Sequence, residues 1–215
     1  MPRATRGARG HPCFAAAYDL LAGGFERQEL LPRRQRLLDP CSGDVLDVGC
    51  GTGANFPVLV AAARAGRDLR LRGVDPDPHM LRRARRRAEG LGLPVRLVRA
   101  PAEDLPFPAA SFDFVLCTLV LCTVGDPATA LAEAARVLRP GGRLLFLEHA
   151  RSQRPAERRW QGRLRRIWAA AAAGCRLDAE TPALLRAAPL VDLRWREDRL
   201  PFPLYRLLEG SARRG

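Results

Sequence analysis

The residues best suited to chemistry lie in one run, Val45-Leu46-Asp47-Val48-Gly49-Cys50-Gly51-Thr52-Gly53-Ala54-Asn55. A short β-branched strand enters a glycine-rich turn, and a helix comes next. Glycine is needed where a ligand must approach the backbone, because a side chain would block it. The helix start offers free N–H groups and a positive dipole end to an anionic group. Asp75 stands 24 residues after Gly51, at the end of a second strand. A carboxylate there can accept from both hydroxyls of a ribose. Gly49-x-Gly51-x-x-Ala54 also satisfies the dinucleotide fingerprint, so a nicotinamide cofactor competes on this motif. Asp47 tilts the balance, because a carboxylate beside the turn suits an ammonium-bearing ligand, such as an amino-acid moiety, better than a pyrophosphate. The plainer reading of Asp47 is a helix-capping carboxylate.

An alternation of strands and helices must position these groups. Helical spacing runs over 14–38, broken near Gly23-Gly24, and again over 54–65. Asp77-Pro78 and Asp126-Pro127 are helix-start signals, the second opening a helix to Leu138. Strands are expected at 45–48, 69–74, 94–98, 112–117 and, after the turn Pro140-Gly141-Gly142, at 143–147. A helix over 155–173 carries Trp160, Leu164, Ile167 and Ala171 on one stripe, for which core packing is the favoured reading. A short helix near 183–188 and two strands, 191–196 and 204–209, close the chain as a hairpin. The expected fold is α/β: a Rossmann-like, doubly wound, seven-stranded sheet, mostly parallel with a C-terminal antiparallel hairpin. Residues 1–12 read as a flexible basic arm and 13–215 as one domain, with a cofactor-binding core at 41–150 and a basic helical segment with closing strands at 151–215.

All 36 basic residues among the 215 are Arg, and the net charge is +13. Residues 151–215 hold 15 Arg against 7 acids, so eight of those charges lie there. GC-rich coding explains abundant Arg. It does not explain the concentration, which points to a basic surface for an anionic acceptor or membrane. The 47% hydrophobic content excludes disorder, and the lack of an 18-residue apolar stretch excludes a transmembrane helix. None of the six Cys forms a C-x-x-C pair, so no metal cluster is expected, and free thiols fit a reducing, cytoplasmic setting. Arg3, Arg6 and Arg9, with no acid before Asp19, leave a mitochondrial targeting segment as an alternative.

Four landmarks fall in order over about 100 residues. Leu46-Asp47-Val48-Gly49-Cys50-Gly51-Thr52-Gly53 resembles motif I of the class I S-adenosylmethionine-dependent methyltransferases. Val74-Asp75-Pro76 resembles their ribose motif, Ala102-Glu103-Asp104-Leu105-Pro106-Phe107 with Ser111-Phe112-Asp113 their adenine-side motif, and Leu138 to Leu144 their turn into strand five. The flanks His11-Pro12, Tyr18-Asp19, Cys117 to Cys122, Glu148-His149, Arg159-Trp160-Gln161 and Gly174-Cys175 resemble one subgroup. It holds ubiquinone-biosynthesis-like and phospholipid methyltransferases and the mammalian alkyl thiol methyltransferases. The resemblance implies S-adenosylmethionine as cofactor. It implies that Asp47, Gly49, Gly51 and Gly53 cradle the methionyl part, that Asp75 binds ribose with Pro76 beside the adenine, and that Ala102 and Glu103 face the adenine. Cys117 and Leu119 would line the methyl site, and Tyr18 would close over the cofactor. Pro101 stands where many members carry Asp, which removes a side-chain contact to the adenine amine. The mammalian members have an N-terminal membrane anchor, and none is expected here.

Methyl transfer needs alignment, water exclusion and, for some acceptors, a base. His149, expected just past strand five, is the candidate base, weighed against a loop histidine with a structural hydrogen bond. His11 is a second candidate, and His79 reads as structural. Cys117 and Cys122 read as small core residues rather than nucleophiles. The expected function is methylation of a small acceptor: a thiol, an amine or a lipid-like group. Alternatives are an RNA methyltransferase, disfavoured by Cys117-Thr118-Leu119-Val120 where an Asn/Asp-Pro-Pro-aromatic motif would stand, and a non-catalytic cofactor-binding assembly factor.

Overall fold

A computed structural model describes residues 23–172 and 174–215. The arm 1–12, His11, Cys13 and Tyr18 lie outside the described residues. The chain enters in a helix, α1, made of an α-helical turn (Gly23–Phe25), a π-helical segment (Glu26–Leu30) and an α-helical segment (Leu31–Leu38). Gly23 and Gly24, expected to break a helix, are themselves helical. The next elements are β1 (Gly43–Val48), α2 (Phe56–Arg64), β2 (Leu69–Asp75), α3 (Pro78–Leu91), β3 (Val95–Arg99), β4 (Phe112–Thr118), α4 (Pro127–Val137) and β5 (Leu138–Ala150). The chain closes with α5 (Pro155–Ala171), α6 (Thr181–Ala187), β6 (Val191–Arg199) and β7 (Arg206–Arg213).

The strands form one seven-stranded sheet in the order β3-β2-β1-β4-β5-β7-β6. The first five are parallel, and β7 runs antiparallel to both β5 and β6. Alternate side chains serve opposite faces. Val45, Leu116, Leu145 and Leu147 pack with Leu37 and Leu38 of α1, Phe56 and Leu59 of α2 and Ala84 of α3. Leu46, Val48, Val115, Leu144 and Phe146 pack with Leu131 and Ala134 of α4 and Leu185 of α6. Burial on both faces explains why these strands read as continuous apolar runs. The chain reverses its winding between β1 and β4, and the carboxyl ends of those strands are where such sheets take ligands.

The local start signals work as read. Asp77 accepts from the His79 N–H at 2.7 Å to begin α3, and Asp126 accepts from the N–H groups of Ala128 and Thr129 to begin α4. Three expectations need correction. First, β5 is far longer than 143–147: pairing with β4 skips from Leu138 to Arg143 across the Pro-Gly-Gly turn and continues, so His149 lies inside the strand, opposite Leu207. Second, β7 begins two residues later than expected and runs on to Arg213. Third, the α5 stripe is not core, since Trp160 is 49% and Ile167 70% exposed. α5 is held instead by its one buried residue, Gln161. Its Oε1 accepts from the Ser152 N–H at 2.9 Å, and its Nε2 donates to the Leu204 carbonyl at 3.2 Å.

Candidate active site

β1 delivers Asp47 to the sheet end, and the turn beyond it needs a backbone that most residues avoid. Gly49, Gly51 and Gly53 have φ of 59°, 55° and 83°. Their surroundings differ. A Cβ on Gly49 would fall 2.7 Å from the Val120 side chain, so the turn packs directly on the loop after β4. A Cβ on Gly53 would strike Phe56 at 2.5 Å. At Gly51 the nearest neighbour among the described residues is the Gly49 carbonyl at 4.0 Å, so the backbone there is open to an approaching ligand.

Asp47 is fully buried. Its Oδ1 accepts from Asn55 Nδ2 at 2.8 Å, while its Oδ2 has no partner among the described residues. Asn55 is held in turn by Arg34, which donates to Asn55 Oδ1 at 2.6 Å, to Thr118 Oγ1 at 2.8 Å and to Glu26 Oε1 at 2.7 Å. Burial pushes the Asp47 carboxyl up to about 7, against the Asn55 hydrogen bond and the Arg34 charge. A buried acid with one oxygen unsatisfied is costly unless a donor arrives. An ammonium group supplies both a donor and a charge.

Asp75 ends β2 beside the same turn. Its Oδ2 accepts from the Gly51 N–H at 3.0 Å and its Oδ1 from the Asp77 N–H at 2.9 Å. Burial raises it to about 6, against these two bonds. A carboxylate has about four lone-pair sites, so capacity for ribose hydroxyls remains. Pro76 is next in the chain, half-buried, with its carbonyl accepting from Arg99 Nε at 3.1 Å. Ala102 is buried on the same sheet face as Leu46 and Val48. Glu103 is half-buried, and its Oε1 accepts from the Asp126 N–H at 3.1 Å, tying the loop after β3 to the start of α4.

On the acceptor side, Leu119 takes a left-handed backbone with φ of 60°, and its N–H donates to the Leu147 carbonyl at 2.8 Å. Glu148, buried in β5, pins the loop beyond Leu119: its Oε1 accepts from the N–H groups of Val120 at 2.7 Å and Leu121 at 3.0 Å. Burial raises its carboxyl to about 7. The Cys117 side chain packs among Val48 and Phe146 in the core, so it lines no open site, and burial holds its thiol well above the usual range. His149 is 1% exposed, and its Nε2 lies 2.9 Å from Cys175 Sγ. It is walled in rather than presented to an acceptor, because β5 continues past it. The sequence reading missed Arg34, Asn55, Thr118 and Glu148 as supports of the site. One signal for Arg34 was available: it occupies a helix-face position shared with Leu30, Leu37 and Leu38, all buried.

A family model described as a methyltransferase domain matches residues 46–146. Thiol S-methyltransferase TMT1B of Homo sapiens is 39% identical over 173 residues, 78% of this chain and 68% of its own length. A phosphatidylethanolamine N-methyltransferase of Cereibacter sphaeroides is 34% identical over 145 residues, 65% of this chain and 67% of its own. In structure, a geranyl diphosphate C-methyltransferase from Streptomyces coelicolor A3(2), solved with S-adenosyl-L-homocysteine, superposes with a TM-score of 0.66 at 19% identity. That superposition covers 86% of this chain and 76% of the other. The chain belongs to the class I S-adenosylmethionine-dependent methyltransferases. S-adenosylmethionine is therefore the cofactor of this methyltransferase, and the residues present fit it. Asp47 Oδ2 would take the methionyl ammonium, the open backbone at Gly51 would face the ligand, and Asp75 would hold the ribose.

Because the folded-state value of Asp47 lies above its ordinary 3.8, the ligand-free chain binds an extra proton on folding. Its contribution to stability therefore falls as pH rises from about 4 to about 7. A ligand ammonium on Oδ2 favours the ionised form, so binding responds oppositely. S-adenosylhomocysteine affinity, measured by calorimetry, should rise with pH towards about 7, by up to about tenfold per unit. Asp47→Asn should weaken binding and flatten that slope. An unchanged slope in the variant would remove Asp47 from this role.

Proposed function

We propose that this methyltransferase acts on a small soft nucleophile, a thiol foremost. The observation that carries the reading is the acceptor side itself: among the described residues, the histidine at the carboxyl ends of β4 and β5 is walled in, and Glu148 is wholly buried, with Oε1 on the Val120 and Leu121 N–H groups and Oε2 shut away from any acceptor. An acceptor suited to such a site must supply its own reactive form. A thiol with a pKa near ~8.5 does so with modest help from a positive field. The similarity to a thiol S-methyltransferase over 78% of the chain supports the same choice.

S-adenosylmethionine supplies an electrophilic methyl group that needs no further activation. The chain supplies position. The Asp47 network and the three glycines would fix the methionyl end, and Asp75 would fix the ribose. Glu148 pins the loop Leu119 to Leu121, and Val120 of that loop packs on Gly49, so the acceptor side is fixed against the cofactor turn. The excess positive charge of 151–215 favours an acceptor that reacts as an anion.

The same surface supports a peripheral site of action. Trp160 and Ile167 stand exposed on α5 among Arg158, Arg159, Arg163, Arg165 and Arg166, and the Arg163 guanidinium lies 5.3 Å from the Trp160 ring centre. No helix among the described residues is long and apolar enough to cross a membrane. An amphipathic helix of this kind suits lying on an anionic membrane surface.

Two measurements check the reading. With a labelled methyl donor, a panel of alkyl thiols, amines, quinols and phospholipids should show turnover of thiols, rising with pH towards the acceptor pKa. Turnover confined to amines or lipids would contradict it. Replacing Arg158, Arg159, Arg163 and Arg166 by Gln should weaken binding to phosphatidylglycerol-containing vesicles by tenfold or more at low salt, at about 1 kcal/mol per charge near such a surface. Unchanged binding would return these charges to coding bias.

A further inference from the structure

We propose that Cys122, His149 and Cys175 form a binding site for a thiophilic divalent metal ion, zinc by the chemistry of the donors. The three residues come from separate parts of the chain: the loop after β4, strand β5, and the segment after α5. Their ligand atoms all lie within 4.8 Å of one another, and all three residues are buried. The sequence reading expected no such cluster, because the three are 27 and 26 residues apart and form no short metal-binding spacing. Only the return of the chain after α5 brings Cys175 to the other two.

The donor set is one that selects zinc over harder ions. Thiolate and imidazole are the soft and borderline ligands of that metal, and two Cys with one His and an open fourth position is a known coordination type. Zinc bonds of ~2.3 Å to sulfur and ~2.0 Å to nitrogen place ligand atoms ~3.5 Å apart in a tetrahedron. The present arrangement brackets that value. The 2.9 Å contact of His149 Nε2 with Cys175 Sγ must open slightly, and the widest separation, at most 4.8 Å, must close.

The His149 ring meets the cluster through Nε2, while its Nδ1 has no partner among the described residues. Cys175 Sγ lies 2.9 Å from His149 Nε2 and accepts from the Trp168 indole N–H at 3.2 Å. Both sulfurs must be thiolates in a metal complex, so binding releases their protons. Trp168 stands as the second contact that orients a ligating sulfur. Among the described residues no fourth His, Cys or carboxylate joins the group, which leaves one position for water or another exogenous donor.

Such an ion would act on the acceptor side of the fold. Arg176, next to Cys175, donates to the carbonyls of Leu121 and Val124 at 3.3 Å and 3.1 Å. Glu148 holds the same loop from its N–H groups. A metal at Cys122 would lock that loop to β5 and to the segment after α5. The proposal does not depend on which acceptor is methylated.

Cobalt(II) titration of the reduced full chain tests it. A site of this kind gives one equivalent of cobalt with strong visible absorption and a near-ultraviolet thiolate-to-cobalt band, both abolished by one equivalent of zinc. Cys122→Ser and Cys175→Ser should each roughly halve the thiolate band and weaken affinity at least tenfold, while Cys41→Ser leaves both unchanged. S-adenosylhomocysteine binding reports that each variant is folded. The wild-type titration needs no variant: absence of the thiolate band overturns the proposal. So does a Cys122–Cys175 disulfide that, once reduced, leaves a chain taking up no cobalt. Zinc should also raise the thermal midpoint of the wild type, reversibly by chelator, and an unchanged midpoint counts against it.

Discussion

A carboxylate buried at the end of the central strand is the constraint around which the rest is arranged. Asp47 has no exposed surface and one oxygen without a partner among the described residues. Burying such a group is costly, and the fold offsets part of the cost with one donor, Asn55, held in place by a chain of further side chains. Asn55 donates to it, Arg34 and Thr118 hold Asn55, and Glu26 holds Arg34. The first helix is thus more than a cover for the sheet. Its buried guanidinium ties α1 to the start of α2 and to the end of β4, and Arg33 reaches Asp198 on β6 from the adjacent position.

The two sides of the sheet end are built by one device. An acid from one strand accepts from the backbone of the neighbouring turn. Asp75 does this for Gly51, and Glu148 does it for Val120 and Leu121. Both acids are buried, and both are raised by that burial while the backbone donors oppose it. Gly49 and Val120 then press the two turns together. Cofactor side and acceptor side meet as two rigid loops, which is what an in-line transfer requires.

Much of this was legible in the sequence where the physics is local. The glycine turn, the Asp-Pro helix starts and the double-faced burial of the strands all depend on neighbouring residues. The seven-stranded sheet with its antiparallel hairpin came from counting the strands. The rest was hidden for one reason: it depends on what the chain folds against. Arg34 has the residue type of a surface position and the spacing of a core position, and only the Asn55–Thr118 pair decides between them. His149 reads as lying just past a strand at 143–147, whereas β5 runs on to Ala150. The α5 periodicity is real, but periodicity does not say which face is covered, and Gln161 rather than the stripe holds the helix. Cys122 and Cys175 could not be paired by spacing at all.

The proposal that Asp47 receives the cofactor amine is tested most directly by a crystal structure of the chain with S-adenosylhomocysteine. The expected result places the amine within hydrogen-bonding distance of Asp47 Oδ2, with the ribose hydroxyls on Asp75 and the Arg34–Asn55–Thr118 contacts retained. A complex in which the amine lies elsewhere and Asp47 Oδ2 still has no partner would contradict it.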